Sequence, residues 1–334
     1  MNHLGTKKLV LLVGAFFLFS FLCTSAAFAK KVVIGFVQIT PEGIWRTANT
    51  ESVQNAAKEA GYELILKIGS MNYSSASAKD TLQTQILGMK EFIAKRVDVI
   101  AFTPSQIDGW EDVLKEAKAA GIPVINIDRA VNISDRSLLV THLGSDMIEE
   151  GRRAGRWLVN YLKKTGAMDK KIRIVQLEGV KGSTPAIHRA QGFAEIIKDY
   201  PNLQIVQSKP ADFTHSTGQE VMTEFLNTEK GNIDVVFSHN DEMALGAIEA
   251  IKKYGKKPGK DIIIIGVDAV KKALEAIVAG EMNATIECNP LLGPQLMAAV
   301  KDLQAGKEIP KRIVTKEEDF DQTNAAQALP SRMY

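Results

Sequence analysis

The sequence predicts an α/β fold with two sets of parallel strands and covering helices, and three observations lead to it. Short β-branched runs alternate with amphipathic stretches from about residue 32 onward. The strand-like runs are apolar along their whole length, which is typical of parallel sheets covered by helices on both faces. The alternation restarts after about residue 143 without a Pro- or Ser-rich linker, and 334 residues suffice for about two domains.

The first set of elements ends near residue 143. Stop signals close its helices, for example Gly61 and the combination of Gly121 with Pro123. The predicted strands are Val32–Val37, Leu64–Ile68, Val97–Phe102 and Pro123–Ile127. The apolar periodicity predicts helices at Ile44–Glu59, Asp80–Lys95 and Trp110–Ala120.

The second set repeats the pattern. Its predicted strands are Ile172–Leu177, Ile205–Gln207, Asp234–Phe237 and Ile262–Val267. Its predicted helices are Gly151–Tyr161, Ala186–Asp199, Gly218–Asn227 and Glu242–Tyr254. A further strand at Asn283–Glu287 and a helix at Pro290–Ala305 follow. The residues from Thr315 onward are charged and polar, and Asn324–Leu329 is either a short surface helix or a loose tail.

Residues 1–29 predict a secretory signal peptide and are set apart from the fold. Two lysines precede an apolar run of 15 residues, Leu9–Cys23, which is short for a membrane span of about 20 residues. The small residues that end at Ala29 predict cleavage after that position, so the chain is expected to be exported. An uncleaved anchor and a lipoprotein attached at Cys23 are the alternatives.

The composition excludes several classes of protein. Apolar residues make up 45% and charged residues 24% of the chain, as in ordinary soluble globular proteins. The formal net charge of +2 lacks the strong basic balance of a dedicated nucleic-acid binder. Removal of the leader takes away two lysines and one of the two cysteines, which leaves Cys288. A single cysteine can form neither an internal disulfide nor a multi-thiolate zinc site.

No motif of an enzyme is present. The sequence has no G-x-G-x-x-G after the first strand, no Walker A loop and no G-x-S-x-G elbow. We therefore predict no catalysis and no cofactor. The histidines lack metal-ligand spacing, so no metal site is predicted, and the basic run from Lys252 to Lys260 is interpreted as a solvated loop.

Polar side chains follow several of the predicted strands. In doubly wound sheets ligands bind at the carboxyl ends of the strands, so two facing sets of such ends would form a polar cleft. The residues at these positions are Gln38, Glu42, Trp45, Arg46, Asp128, Arg129, Arg189, Asn240, Asp241 and Asp268.

Each of these residues has a structural interpretation when it is taken alone. Asp128 with Arg129 could be a solvated ion pair, Arg189 a surface arginine, and Trp45 a packing residue. Asp241 is expected to cap a helix that begins at Glu242, and Asp268 could cap a helix at residues 270–279. Their joint occurrence at strand ends is what favours a binding site.

Five segments, in order, resemble the ribose-binding type of periplasmic solute-binding proteins. They are residues 33–37 (VIGFV), 121–129 (GIPVINIDR), 187–193 (IHRAQGF), 239–247 (HNDEMALGA) and 265–268 (IGVD). Four further segments resemble the galactofuranose-binding branch of that family. They are residues 43–46 (GIWR), 108–111 (DGWE), 212–214 (DFT) and 293–294 (GP). The resemblance covers about residues 31–315.

The resemblance implies the type I periplasmic binding protein fold, with two Rossmann-like lobes joined by a three-segment hinge. The crossings are expected near residues 143–145, near residues 288–289 and near Thr315. The N-terminal lobe would then comprise residues 30–143 plus 289–315. The C-terminal lobe would comprise residues 144–288 plus 316–334.

The resemblance also implies which residues hold a sugar. A monosaccharide offers hydroxyls that donate and accept, and apolar C–H faces that an indole can cover. Carboxylates, guanidinium groups and an amide match the hydroxyls. The expected sugar contacts are Gln38, Trp45, Arg46, Asp128, Arg129, Arg189, Asn240, Asp268 and, at the hinge beside Cys288, Glu287. Trp45-Arg46 replaces the phenylalanine pair of ribose binders, which favours a hexofuranose or another polar monosaccharide.

The expected function is capture of a monosaccharide, galactofuranose or a related aldose, in the periplasm by hinge closure, and its delivery to an ABC-type permease. The alternative is a sugar-sensing module that feeds a chemoreceptor or sensor protein. A repressor of the lactose-repressor type would need a helix-turn-helix where the leader lies, and an enzyme acting on a sugar would need turnover. No nucleic-acid partner is expected, and a monomer is expected.

Overall fold

The computed structural model describes residues 31–69 and 78–334, together with Met1. The rest of the predicted leader, including Cys23, lies outside the described residues. Residues Val32–Tyr334 form one unit by their contacts. Within the described ranges, no helix combines the length and apolar character needed to cross a membrane.

Two six-stranded sheets organise the molecule. In chain order the strands are β1 (Val33–Gln38), β2 (Glu63–Ile68), β3 (Val99–Phe102), β4 (Val124–Ile127), β5 (Thr141–Gly144), β6 (Ile172–Glu178), β7 (Leu203–Pro210), β8 (Val235–Ser238), β9 (Ile263–Asp268), β10 (Ala284–Glu287), β11 (Arg312–Val314) and β12 (Asp319–Asp321). The first sheet has the order β11-β5-β4-β3-β1-β2, and the second has the order β12-β10-β9-β8-β6-β7.

Helices cover the two sheets. They are α1 (Ile44–Glu59), α2 (Ala78–Lys95), α3 (Glu111–Ala119), α4 (Met147–Lys164), α5 (Thr184–Ile197), α6 (His215–Thr228), α7 (Asp241–Lys253), α8 (Lys271–Val278), α9 (Gly293–Gln304) and α10 (Ala325–Ala328). We define the first lobe as the first sheet with α1, α2, α3 and α9. The second lobe is the second sheet with the remaining helices. Every strand pair is parallel except β10 with β12, so the predicted α/β class with parallel sheets is confirmed.

Apolar side chains fill both faces of each sheet, as the continuous apolar strands require. In the first lobe, Phe36 packs with residues of α1 and α9 on one face, and Phe92, Phe102 and Trp110 pack on the other. The Trp110 indole is fully buried, 5.0 Å from the Phe102 ring, and its Nε1 donates to the Gln106 carbonyl at 2.8 Å. Trp110 is thus a core residue of the first lobe.

Three strands were not predicted from the sequence, because they are short and contain polar residues. β5, β11 and β12 have four, three and three residues, and each pairs near an edge of its sheet. Helix α4 also begins earlier than predicted, at Met147 rather than Gly151. The reason is a cap that was not recognised: the Asp146 carboxylate accepts from the Glu149 backbone N–H at 3.0 Å.

The chain passes between the two sheets three times. It leaves the first sheet after β5, returns after β10 to form α9, and leaves again after β11 to form β12. The lobe boundaries predicted from the resemblance lie beside these crossings and stay a prediction.

Two glycines bring α4 and α5 into backbone contact. A Cβ atom on Gly192 would lie 1.9 Å from the Ile148 carbonyl oxygen, and one on Gly151 would lie 2.2 Å from the Arg189 carbonyl oxygen. Only the absence of a side chain permits this approach. The contact places the residue before Gly151, Glu150, beside Arg189, so helix packing builds part of the site.

Candidate functional site

A cavity lies between the lobes at the carboxyl ends of the strands. It has about 390 Å³ of empty volume, and this figure includes the open solvent at its mouth. Seven of the nine predicted site residues line it. They are Trp45, Arg46, Asp128, Arg129, Arg189, Asn240 and Asp268.

The first lobe contributes a buried cluster of two arginines and two carboxylates. Arg46 Nη2 donates to Asp128 Oδ2 at 2.7 Å, and Arg129 Nη2 donates to Glu42 Oε2 at 2.5 Å. All four side chains are at least nine-tenths buried. Burial lowers the pKa of Arg129, while the Glu42 carboxylate opposes this effect. The charges alternate, so each buried guanidinium is paired with a carboxylate although water is excluded from the cluster.

Stacking contacts fix the two arginines further. The Arg46 guanidinium lies 4.6 Å from the centre of the Trp45 ring, and that of Arg129 lies 5.3 Å from the centre of the Phe213 ring. Phe213 belongs to the second lobe, so the Arg129 contact joins the lobes. Trp45 is also part of the buried apolar cluster of the second lobe, so its packing interpretation is confirmed, and its contact with a sugar stays a prediction.

The second lobe contributes Arg189, whose guanidinium is directed by three oxygen atoms. Nε donates to Glu150 Oε2 at 2.7 Å, Nη1 donates to the His239 carbonyl at 2.5 Å, and Nη2 lies 3.7 Å from Asp268 Oδ1. Burial alone would lower the pKa of Arg189, but the Glu150 and Asp268 carboxylates raise it overall. Arg189 is therefore a buried, permanently charged donor, and not a surface arginine.

Two aspartates occupy strained backbone positions at strand ends. Asp128 has φ 62° and Asp268 has φ 124°, in the region that favours glycine. Burial raises the pKa of Asp268 well above its usual value, and Arg189 counteracts this only in part. Strain of this kind persists where the surrounding structure enforces it, and it often marks a functional site.

Neither aspartate that was predicted as a helix cap occupies the N-cap position of its helix. Asn240, not Asp241, caps α7, since its Oδ1 accepts from the Met243 N–H at 3.0 Å. Asn240 Nδ2 donates to the Phe213 carbonyl at 3.0 Å, which leaves its second N–H for a ligand. Asp241 is instead buried beneath β9, and its carboxylate accepts from Thr285 Oγ1 and the Val270 N–H. Asp268 caps no helix, because Val270 precedes α8.

Two of the predicted site residues do not line the cavity. Gln38 lies behind Arg46, where its Nε2 donates to Asn49 at 2.9 Å. Glu287 faces the C-terminal residues, and its carboxylate accepts from Arg332 at 2.6 Å and from Tyr334 at 3.0 Å. The cavity is reached instead by the next residue, Cys288.

The remaining cavity residues were not among the sugar contacts expected from the sequence. They are Glu42, Gly43, Met147, Pro185, Phe213, Glu242 and Cys288. Glu42 was noted in the first loop, but its partnership with Arg129 joins residues 87 positions apart and has no local signal. Phe213 has φ 63° and follows a strand of the second sheet, a position that the strand-end argument did not cover.

Four hydrogen bonds connect the lobes or the hinge around the cavity. They are Ile44 N–H to Glu242 Oε1 (3.1 Å), Ile107 N–H to the Gly182 carbonyl (3.1 Å), Thr184 Oγ1 to the Ala130 carbonyl (2.8 Å) and Trp45 Nε1 to the Cys288 carbonyl (2.5 Å). The lobes are therefore in contact across the cavity.

Several buried polar atoms of the cavity lining are left over for a ligand. Within residues 31–69 and 78–334, Glu42 Oε1, Arg46 Nε and Arg129 Nε have no hydrogen-bond partner. Leaving such atoms unpaired costs about 1–3 kcal/mol each. One acceptor and two donors in a small volume match a ring of hydroxyls, which donate and accept.

One group of residues in the described part of the chain has metal-ligand proximity. Oxygen or sulfur atoms of Glu150, Cys288 and Glu317 lie within 4.8 Å of one another. Arg189 already neutralises Glu150, and Glu317 accepts from Ser145 and from the Asn289 N–H. We interpret this group as a hydrogen-bonded hinge cluster.

Comparison with known proteins gives consistent matches. The sequence model of the family described as "Periplasmic binding protein domain" matches residues 34–308. The galactofuranose-binding protein YtfQ of Escherichia coli K12 is 40% identical over 296 residues, which are 88% of this chain and 89% of the relative. This similarity confirms the predicted resemblance to the galactofuranose-binding branch.

Two solved structures are similar over nearly the whole chain. One is a Mycobacterium smegmatis protein in complex with β-D-fucofuranose, with 48% identity, a TM-score of 0.83 and coverage of 91% of this chain and 95% of that one. The other is the periplasmic component of the arabinose ABC transporter of Shewanella sp. ANA-3, bound to α- and β-L-arabinofuranose. It has 40% identity, a TM-score of 0.83 and coverage of 90% and 96%.

Proposed function

The chain belongs to the periplasmic binding protein domain family, and from that premise we propose that it captures a monosaccharide in its five-membered furanose form. It is a sugar-binding protein of the periplasmic, transporter-associated type and not an enzyme. The proposal extends this to the ring form, to the residues that hold the sugar, and to delivery of the sugar to an ABC-type permease.

One observation carries the assignment of the site: seven predicted residues, which lie at strand ends or on helices α1 and α5, converge from both lobes on one cavity. Arg46, Asp128 and Arg129 come from the first lobe, and Arg189 and Asp268 come from the second. A sugar held by one set would therefore attract the other. Binding of this kind stabilises the arrangement in which the lobes touch.

The ring form is supported by the sugars that three similar proteins bind. Galactofuranose, β-D-fucofuranose and L-arabinofuranose differ in their exocyclic groups but share the five-membered ring. The Arg46 guanidinium covers one face of the Trp45 ring, and both side chains line the cavity, so an apolar surface and a charged donor lie side by side there. Such a surface suits one C–H face of a ring together with its adjacent hydroxyls.

Calorimetry with sugars of fixed ring size tests the proposal. Methyl β-D-galactofuranoside and methyl α-L-arabinofuranoside would be compared with methyl β-D-galactopyranoside, and thermal unfolding would be followed in parallel. A ligand present at 100 times its dissociation constant should stabilise the protein by about 2.7 kcal/mol. Stabilisation by the pyranoside but by neither of the others would contradict the furanose assignment, and stabilisation by no sugar would contradict sugar binding at this site.

Substitution of Asp128 tests the first-lobe cluster. Asp128→Asn keeps the shape and tolerates the left-handed backbone, but it removes the charge that pairs with Arg46 at 2.7 Å. We expect sugar affinity to fall about 10- to 100-fold, because a hydrogen bond to a charged group contributes about 1.5–3 kcal/mol. Calorimetry would measure it, with exposed Asp112→Asn as the control. Equal affinity of Asp128→Asn and wild type would remove Asp128 from the site.

Export and partnership complete the proposal. The family places the protein in the periplasm, and we propose that a leader is removed after Ala29. Mass spectrometry of the protein from the periplasmic fraction should then give a chain that begins at Lys30. Sugar-dependent association with the membrane subunits of a permease, measured in nanodiscs, would test delivery.

A further inference from the structure

A buried cluster joins the three segments at which the chain crosses between the lobes. Ser145 follows the first crossing strand, Cys288 and Asn289 follow the second, and Glu317 follows the third. The Ser145 hydroxyl lies 3.3 Å from Cys288 Sγ and also donates to Glu317 Oε1. The Asn289 N–H donates to the same oxygen at 3.0 Å. We call Ser145, Glu150, Cys288 and Glu317 the hinge cluster.

Glu150 connects this cluster to the candidate sugar site. Its side chain is fully buried, and Oε2 accepts from Arg189 Nε at 2.7 Å. The other oxygen, Oε1, has no partner among the described residues. A carboxylate oxygen of Glu150 also lies within 4.8 Å of a Glu317 carboxylate oxygen and of Cys288 Sγ. One carboxyl group thus touches both the sugar-binding arginine and the hinge.

We propose that Glu150 is a positioning residue for Arg189, and that Glu317 beside it carries a proton when the lobes are in contact. This inference rests on the proposed function for its effect on sugar. Two buried carboxyl groups this close cannot both be ionised at low cost, so one of them keeps a proton. Glu150 remains the partner of Arg189, and Glu317 carries the proton.

The surrounding charges agree with this assignment. Burial, followed by the Glu150 charge, raises the pKa of Glu317 to about 8, against hydrogen bonds from Ser145 and Asn289. The cations that face the pair are Arg189, Arg153 (3.8 Å from Glu317 Oε2) and Arg312, and the other acids nearby are Asp146, Asp241 and Asp268. Burial raises the pKa of the Cys288 thiol, so the thiol stays protonated and does not compete.

The sign of the pH effect follows from linkage. When the lobes separate and water reaches Glu317, its pKa returns toward the usual value of about 4.3. Between that value and about 8, the state with the lobes in contact binds one more proton than the separated state. Closure and sugar affinity therefore fall as pH rises through this window, by at most about tenfold per pH unit, and become constant above it.

Glu317→Gln isolates this proton, because Gln Oε1 still accepts from Ser145 and Asn289 but does not titrate. Asp241 and Asp268 titrate in both proteins, so the ratio of variant to wild-type sugar affinity reports Glu317. We expect that ratio to rise at least about tenfold between pH 5.5 and pH 8.5. Calorimetry in buffers of different ionisation enthalpy should show less proton uptake by the variant at pH 7. The exposed neighbour substitution Glu318→Gln should behave as wild type.

A measurement without sugar keeps this inference separate from the proposed function. The thermal midpoint of Glu317→Gln, relative to wild type, should rise with pH from 5.5 to 8.5, since the variant no longer loses a buried proton. A pH-independent difference in midpoint, or an affinity ratio that does not change with pH, would overturn the proton assigned to Glu317. Absence of sugar binding at every pH, with the midpoint difference present, would overturn the sugar assignment alone.

Glu150→Gln, which frees Arg189, should lower sugar affinity at all pH values. Wild-type affinity of this variant would remove the positioning role of Glu150.

Discussion

Arg189→Ala should lower sugar affinity about 30- to 1,000-fold, a loss of roughly 2–4 kcal/mol. Arg189 lies within hydrogen-bond or ion-pair distance of Glu150, the His239 carbonyl and Asp268 together. Its removal leaves two buried carboxyl groups without their charge partner, which is costly even when no ligand is present. The sugar would also lose a forked donor from the second lobe. Calorimetry at neutral pH would measure the loss.

A milder variant separates binding from folding. Arg189→Lys keeps the charge but cannot reach three oxygen atoms with a planar fork. We expect it to fold, by circular dichroism and thermal midpoint, and still to bind sugar at least about tenfold more weakly. Arg156→Ala on the exposed side of α4 is the matched control and should bind as wild type. Wild-type affinity in Arg189→Lys would contradict the role given to the guanidinium.

Gly192→Ala should destabilise the protein by about 3 kcal/mol, the upper part of the range for an overpacked contact. The added Cβ would lie 1.9 Å from the Ile148 carbonyl oxygen, and a backbone atom cannot rotate away as a side chain can. Helices α4 and α5 would have to separate. Since Glu150 and Arg189 lie on these helices, sugar affinity should fall together with stability.

The control is a helical glycine with room around it. A Cβ on Gly88 of α2 would meet its nearest neighbour, Val37 Cγ2, at an ordinary 3.5 Å. Gly88→Ala should therefore be neutral or stabilising by up to about 1 kcal/mol, because alanine favours the helix. Urea unfolding would compare the two variants. Equal stabilities would show that the α4–α5 contact adapts to a methyl group.

The fold was largely predictable because its signal is local and repeated. Strands such as β3 are apolar and buried along their whole length, and β4 departs from this only at the buried Asn126. The strands that were missed, such as β12 (Asp-Phe-Asp), have too few residues for a pattern. β12 forms because β10 offers an edge for pairing, which is a property of the assembled sheet.

The location of the candidate site was predictable, because the ends of the strands determine where the cavity lies. That rule does not give the direction of a side chain. Successive residues of a strand point to opposite faces, and Glu287 points away from the cavity that Cys288 reaches. Glu42 and Met147 reach the cavity through long-range packing, which single-sequence patterns do not contain. The positions of the strand ends therefore predicted where the cavity lies, and tertiary contacts determine which side chains line it.

The hydrogen bonds that join the lobes around the cavity also bear on rates. While the bonds from Ile44 to Glu242 and from Thr184 to Ala130 hold, an enclosed sugar has to wait for the lobes to part before it escapes. Its dissociation rate is then limited by the opening rate of the protein, whichever sugar is bound. The opening rate itself depends on the bound sugar, so a sugar that slows opening more would dissociate more slowly and bind with higher affinity. A permease that draws the lobes apart would release the cargo faster than it leaves by itself.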